Sequence, residues 1–560
     1  VVDWSARLYG LFIATVVAIG IFGCHLEHRA PFRSVNPAIS LTNASIPPPA
    51  FVDVSQSAGL RLQYTIPGKR PLNILQTIGE GCAFLDYNND GNLDILLVGP
   101  KPALYRGDGH GRFTDVTHET GLDGLSGHFL GCAVGDYDND GFDDIYLTAY
   151  RGGVLLHNER GRGFRDVTKA SGLTAQPWAT SAAFFDADGD GRLDLYVGDY
   201  VDFGPHTNPQ LCNSQGLATG CGPTDYRALR GALFRNLGGG RFADVTTAWG
   251  LDKAQGRTLG VAAAPFGPDF RPTLAIANDE TPGDLFVLQG ARSRDIGMAA
   301  GMALSGSEKY GGMGIDWGDY DNDGRLDLVI ATYQNQSKLV LRNVGDLFEM
   351  QETGRLGMFS SLQYVAFGVK WLDFDNDGWL DLMFANGHTL DNADQVMAFG
   401  VVMNPTYRQP IILYQNRGGK YFGDVSNRLA GGAERSIVGR GLAIGDFDND
   451  GRIDALVVDA EGKPLLLHNV EPHAGHWLEL KLRGTRSNRD GIGALVTVTA
   501  SKQRLTRLCT TGGSYLSASD RRVHVGLGKA TTATVSIRWP SGITRNYGRI
   551  TADKIVSLQE

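Results

Sequence analysis

The sequence predicts an all-β chain: a seven-bladed β-propeller followed by a small C-terminal β-sandwich. Three observations predict it. A nine-residue acidic motif recurs six times between apolar runs, starting at 86, 136, 186, 319, 373 and 446. A second signature, F-x-D-V, recurs through the same stretch. Glycine supplies 75 of 560 residues, as many tight turns between short strands require.

The elements follow in order. Residues 8–23 (LYGLFIATVVAIGIFG) are an uncharged run of 16, short of the ~20 residues of a spanning helix and close to a signal-peptide core. The run ends in IFGC, which resembles a bacterial lipobox with Cys24 as the lipidated residue. Three readings stay open for residues 1–24: a lipoprotein, an uncleaved membrane anchor and a cleaved signal. Each takes the rest of the chain across a membrane. Residues 25–50, with SIPPPA at their end, read as a linker.

Residues 51–470 carry the repeats. The F-x-D-V signature reads FVDVSQSAGL at 51–60, FTDVTHETGL at 113–122, FRDVTKASGL at 164–173, FADVTTAWGL at 242–251 and FGDVSNRLAG at 422–431. Weaker copies are RDIGMAAGM at 294–302 and FEMQETGRLG at 348–357. Each unit runs apolar strand, acidic loop, a strand such as DIYLTA, a strand such as LLHN, then the F-x-D-V strand. One such sheet cannot bury both faces alone, so neighbouring sheets must pack on each other. The fourth unit has the strands but no acidic loop. From 471 to 560 the repeat stops, and runs such as HWLELKLRG and ATVSIRWPSG alternate with period two. Val535, Ile537 and Trp539 then share a buried face of the sandwich.

The loops read D-x-D-x-D-G-x-x-D. Carboxylates at alternate positions repel one another unless a cation joins them. Oxygens at positions 1, 3 and 5 converge on one point, glycine at 6 permits the bend, the carbonyl at 7 adds a ligand and aspartate at 9 completes the set. An all-oxygen set without His or Cys fits Ca²⁺, in about six structural sites. The expected ligands are Asp86, Asn88, Asp90, Asn92 and Asp94; Asp136, Asp138, Asp140, Phe142 and Asp144; and Asp186, Asp188, Asp190, Arg192 and Asp194. The later loops supply Asp319, Asp321, Asp323, Arg325 and Asp327; Asp373, Asp375, Asp377, Trp379 and Asp381; and Asp446, Asp448, Asp450, Arg452 and Asp454. Asn92, Phe142, Arg192, Arg325, Trp379 and Arg452 act through their backbone carbonyls.

Six divalent cations would more than cancel the formal charge of −9. The acidity argues against nucleic acid as a partner. Cys212 and Cys221 stand nine apart in a polar, glycine-rich stretch, and export would let them pair. Cys82 and Cys132 read as buried thiols. No H-E-x-x-H, G-x-S-x-G, C-x-x-C-H or phosphate-loop motif is present, which removes the commonest protease, hydrolase, haem and nucleotide readings. No catalytic or organic-cofactor residues are assigned; RGD at 106–108 reads as a hairpin turn and His388 as structure.

These loops resemble the FG-GAP/VCBS repeats of integrin-α-like propellers. The tail SNRDGIGALVTV…TGGSYLSASDRRVHVGLG…VSIRWPSG resembles the ASPIC/UnbV domain. Together with CGPTDY (221–226) and ANGH (385–388), they resemble the cartilage-acidic-protein-like family over residues 51–560. That resemblance implies extracellular calcium binding and an interaction role. The expected function is therefore a surface adhesion module for a protein or glycan, attached to a membrane by lipid or an N-terminal helix. The alternative is an enzyme, a lyase or hydrolase acting on extracellular polysaccharide. Two insertions, 201–231 and 386–411, are expected to project from the metal-free face and to carry recognition side chains, among them Tyr200, Phe203, His206, Tyr226, Arg227, His388, Asp391 and Tyr407.

Overall fold

Each repeat pairs its strands in sequence order because every connection is short enough for neighbours to meet antiparallel. The computed structural model describes residues 47–214, 216–303, 309–396 and 406–560; Cys24, the apolar run and most of the linker lie outside the described residues. Blade 1 is Cys82–Leu85, Asp94–Leu97, Ala103–Gly107 and Phe113–Asp115. Blades 4, 5 and 6 repeat the pattern from Thr258, Gly312 and Ala366. Blades 2 and 3, starting at His128 and Gln176, join in one sheet where Tyr150 pairs with Trp178.

The last blade is composite. Its strands Gly439–Gly445, Asp454–Asp459 and Leu465–Asn469 are followed not by later chain but by Phe51–Asp53, antiparallel with Phe51 opposite Asn469. The first F-x-D-V copy therefore completes the final blade. First strands of successive blades lie side by side, and Gly439–Gly445 lies back against Cys82–Leu85. The fold is a β-propeller. Its core is distributed: Leu, Ile, Val and Phe of facing sheets interdigitate, as Cys82, Phe84, Ile95 and Leu97 do with Leu456, Val458 and Leu466.

The tail forms two facing sheets, one of three strands (His476–Arg483, Val523–Gly528, Lys554–Gln559) and one of four (Leu495–Ala500, Gln503–Leu508, Thr532–Arg538, Thr544–Thr551). Val535, Ile537 and Trp539 are buried between them with Leu478, Leu480 and Val498. Residues Pro47–Glu560 make one compact unit.

That unity has a specific cause. Between two sandwich strands, the small and polar segment Thr511–Ser519 enters the propeller's central channel. Ala518 N–H donates to Cys82 O at 2.9 Å, Ser514 N–H to Ile315 O at 2.6 Å, and Leu516 N–H to Ser181 Oγ at 3.0 Å. Thr511 Oγ1 donates to Val134 O at 2.6 Å, and Ser514 Oγ and Ser519 Oγ accept from Val369 and Ile444 N–H. Blades 1, 2, 3, 5, 6 and 7 are all engaged. Glycines make room: a Cβ on Gly81 would stand 2.0 Å from Leu516 O, and one on Gly131 2.6 Å from the same atom.

Candidate metal centres

In each acidic loop the side chains first fold the loop's own backbone. In loop 136–144, Asp136 accepts N–H of Asp140 at 2.9 Å and of Gly141 at 2.7 Å. Asp138 and Asp140 accept from Asp140 and Phe142 N–H at 3.1 and 3.0 Å. Asp144 is fully buried and accepts from Tyr137 and Asn158 N–H, which pins the loop to the blade's third strand. The ninth-position aspartates Asp94, Asp194, Asp327, Asp381 and Asp454 each make the same two bonds. Glycine at position 6 has positive φ throughout, from +83° at Gly191 to +99° at Gly141, where side chains are strained.

The remaining oxygens converge. Carboxylate oxygens of Asp136, Asp138 and Asp144 lie within 4.8 Å of one another, as do those of Asp186, Asp188 and Asp194. The Oδ1 atoms of Asp188, Asp375 and Asp448, all at position 3, are buried without a hydrogen-bond partner, and so is Asp86 Oδ1. A buried, unpaired acceptor is costly. The same atom left open in three loops fits an all-oxygen cation site. Without a cation, burial pushes several loop carboxyls up: Asp94 to about 8, Asp319 and Asp144 to about 7, and Asp186 and Asp377 to about 6. Asp327, Asp373 and Asp381 move well above the usual range for the same reason, with neighbouring loop carboxylates adding to it.

Charges from the chain itself also face the loops. Arg235 Nε stands 2.7 Å from Asp188 and Arg342 Nε 2.5 Å from Asp321. His468 Nε2 lies 3.1 Å from Asp448, and the Asp448 and Asp450 carboxylates hold its pKa up to about 10. Arg192, Arg325 and Arg452, expected to act through carbonyls, also reach the fifth-position aspartates Asp190, Asp323 and Asp450 with their side chains. Their Nε atoms donate to Asn236 O, Asn343 O and Asn469 O. In loop 86–94, Asn88 lends its Oδ1 to Asp90 N–H just as Asp138 does to Asp140. Blade 4 has a plain hairpin where the loop would stand.

Three sets of functional residues escaped the sequence reading. Asparagine at position 4 (Asn89, Asn139, Asn322, Asn376, Asn449) has φ from +55° to +62°, a conformation asparagine tolerates better than most. Its amide reaches the next loop: Asn89 Nδ2 donates to Gly141 O, Asn139 to Gly191 O, Asn322 to Gly378 O and Asn376 to Gly451 O. Loop 186–194 has Gly189 there, and the next blade has no loop to reach. That pattern was the available signal. The asparagine closing third strands is the second set: Asn158, Asn236, Asn416 and Asn469 donate to backbone carbonyls of the preceding blade. The third is Asp143, where other loops have Leu or Ile, buried and ion-paired with Arg521 of the tail.

The face opposite the acidic loops carries the described parts of the two insertions, which touch one another. Asn392 Nδ2 donates to Ala218 O at 2.8 Å, and Asp391 accepts from Leu72 N–H at 2.9 Å. Cys212 and Cys221 are joined as a disulfide, with Cα atoms 5.0 Å apart. One expectation needs correction. Tyr200, Phe203, Tyr226 and His388 are not free for recognition, because the first three pack round Trp178 and the channel segment's Tyr515 and Leu516, and His388 is fully buried. Burial, with Arg440 nearby, lowers His388 to about 3, and its Nδ1 accepts from Leu390 N–H. Asp108 of the RGD triplet accepts from His110 and Arg112 N–H in a hairpin turn. Among the described residues no helix is long and apolar enough to cross a membrane.

Residues 86–147, 136–197, 319–384 and 373–457 match the FG-GAP-like repeat family, and residues 484–560 match ASPIC and UnbV. The chain is an FG-GAP-repeat propeller with an ASPIC/UnbV domain. Blade 4 falls in the unmatched stretch. Cartilage acidic protein 1 of Mus musculus is 25% identical over 392 residues, covering 67% of this chain and 54% of the relative. The Homo sapiens protein of that name is 24% identical over 397 residues, covering 68% and 53%. This FG-GAP propeller thus spans about half the length of the curated relatives it matches. Among solved structures it is similar to an Agrocybe aegerita lectin specific for non-reducing terminal N-acetylglucosamine (TM-score 0.41, 16% identity, 69% of this chain and 86% of that one). BP39L lectin from Burkholderia pseudomallei is similar too (TM-score 0.40, 10% identity, 70% and 96%).

Proposed function

We propose that this protein is an extracytoplasmic, calcium-binding interaction module that presents the metal-free face of its propeller to a protein or glycan. The observation that carries the calcium reading is the unpartnered, buried Oδ1 of Asp188, Asp375 and Asp448, one atom repeated in three loops of oxygen donors. When bound, Ca²⁺ would supply charge neutralisation and loop closure, and it has no reacting partner in this reading. The propeller's own channel, where a polysaccharide lyase or hydrolase would gather its acid and base, is filled by Thr511–Ser519. That favours binding over catalysis.

The partner would meet the capped face. There the disulfide braces a hairpin, Cys212–Ser214 with Leu217–Thr219, at which Leu211 and Leu217 are exposed, and the same insertion carries the exposed Arg227–Asp202 ion pair. Attachment through Cys24 or an anchoring helix is part of the same proposal. Two measurements test it. Elemental analysis of protein purified in calcium should find several bound ions per chain. A glycan and protein array should give a ligand that the Leu211→Asp, Leu217→Asp double variant loses while keeping its calcium. Absence of bound calcium refutes the first half, and undiminished binding by the double variant refutes the second.

A further inference from the structure

The sandwich sits on the acidic-loop face, and most of what it touches there is loop backbone, with position-4 amide oxygens beside it. Gly528 N–H donates to Asn376 O at 2.7 Å and Gly475 N–H to Asp375 O at 2.8 Å. Arg507 Nη2 donates to Gly378 O at 3.1 Å, while His524 Nε2 lies 3.1 Å from Gly451 O. Arg522 donates to Asp446 O at 2.8 Å and to Asn449 Oδ1 at 2.6 Å, and Arg489 N–H to Asn139 Oδ1 at 2.8 Å. These acceptors belong to positions 1, 3, 4 and 6 of loops 2, 6 and 7. They are the parts of each loop whose direction depends on its closure. Three of the side-chain ion pairs are looser, Lys481 to Asp86 at 3.5 Å, Arg489 to Asp136 at 3.8 Å and Arg507 to Asp373 at 3.9 Å, and the close pair, Arg521 with Asp143, falls at position 8, outside the ligand set.

The channel segment is held by its own bonds to the blades and shares both its ends with the sandwich, so its seat in the ring and the sandwich's seat on the loops are coupled. It leaves the sandwich at Cys509, runs through the ring to Tyr515 and returns at Asp520, where the Asp520 carboxylate pairs with Arg522. Arg522 thus connects the returning segment to loop 7. Anything that loosens the loop backbone removes acceptors from the sandwich and, through it, loosens the anchorage of the segment's two ends together.

We propose that cation binding at the loops and retention of Thr511–Ser519 in the channel are one linked equilibrium: the cations hold the docking platform, and their removal lets the segment leave the channel. This rests on the calcium reading above. A loop of mutually repelling buried carboxylates cannot keep its carbonyls aimed at the sandwich, whereas a closed loop can. Linkage is reciprocal, so weakening the segment's seat must weaken cation binding far from it. The opposite arrangement would have Lys481, Arg489 and Arg507 serve as the loops' counter-ions. The segment would then stay in place when the cation goes.

The experiment uses the full chain and Ca²⁺ alone as the probe. Calcium binding is measured by calorimetry, and amide exchange of peptides covering residues 511–519 is followed by mass spectrometry with and without chelator. Chelation should speed exchange at Ser514, Leu516 and Ala518 by about tenfold or more, while central strand amides such as Ile95 and Leu456 stay protected. Tyr515→Ala, at the far end of the channel from the loops, should weaken calcium binding by about fivefold or more. Arg522→Met should do the same from the near end, which keeps the test open if one variant fails to fold. Calcium binding with unchanged protection of 511–519 after chelation overturns the linkage and leaves the calcium reading intact. No calcium binding at all overturns both.

Discussion

Blades 4 and 5 make the same turn between first and second strands with different materials. In blade 4 the strands pair from Gly260 with Ala277 to Phe266 with Arg271 and turn within Gly267–Phe270. Phe266 packs on Phe348 and Trp317 of the next blade, with ring centroids 5.0 and 6.1 Å away. In blade 5 pairing stops at Gly318 with Asp327, and the acidic loop intervenes. Asp327, fully buried, does the holding there by accepting from Tyr320 and Asn343 N–H. Blade 4 shows that a blade can form without an acidic loop. The loop instead gives lateral attachments: Asn322 to the next loop, and loop backbones to the sandwich. Blade 4 meets the sandwich by its turn, with Arg538 4.1 Å above the Phe270 ring.

The comparison breaks most readily through the cation. Exhaustive chelation should lower the melting temperature strongly, since each site occupied at a hundredfold excess over Kd contributes about 2.7 kcal/mol. Blade 4 should be the least affected part, read by exchange of its Leu274–Ile276 amides. A melt unchanged by chelation would leave the acidic and plain turns equivalent. Next in size is Asp327→Ala, which leaves two buried backbone donors unpaired. A loss of about 2–5 kcal/mol is expected by denaturant titration, and a loss below ~0.5 kcal/mol would remove Asp327 from its holding role.

The pH dependence follows from carboxyls outside the loops. Burial first, tempered by bonds from Tyr200 and Asn278, raises Asp279 and Asp284 of blade 4 to about 7 from 3.8. The folded protein then binds more protons than the unfolded chain between those values. The resulting stability is complete below pH 3.8 and is lost as pH rises through 7. Calcium-free protein should therefore melt higher at roughly pH 5 than at roughly pH 8, and a melting temperature that climbs over that interval would contradict the assignment. The smallest effect sharpens the role of position 4. Asn139→Ala should cost about 1–2 kcal/mol, for a lost bond and a positive φ, whereas Gly189→Asn should cost almost nothing because no loop stands next to it.

Repeats and loops were legible because their information is local: nine residues decide where oxygens converge, and period-two runs decide strands. Glycine 6 takes the positive φ that its place in the loop implies, whereas position 9 accepts backbone N–H groups from the loop and the third strand, contacts the nine-residue pattern does not name. Position 4 was visible as a letter but not as a contact, since its partner is the carbonyl of a loop about fifty residues on. The channel segment TTGGSYLSAS carries no short pattern that marks it as buried. Its burial rests on main-chain and hydroxyl bonds to six separate blades, which no short pattern encodes. The insertions misled for a related reason: aromatic residues suited to recognition serve equally well to seal a channel mouth, as Phe203 and Tyr226 do with ring centroids 5.0 Å apart.

The pairing of Phe51–Asp53 with Leu465–Asn469 sets an order of assembly. The residues that complete the last blade are made first and must wait for nearly the whole repeat array to be synthesised. Until then the ring has two open ends, each with unsatisfied edge backbone of the kind that invites intermolecular pairing. The channel segment lies later still, so the ring is filled only after the strands that close it have been made. A ribosome that stops short of Leu465 therefore releases a chain with six blades and no means of joining its ends.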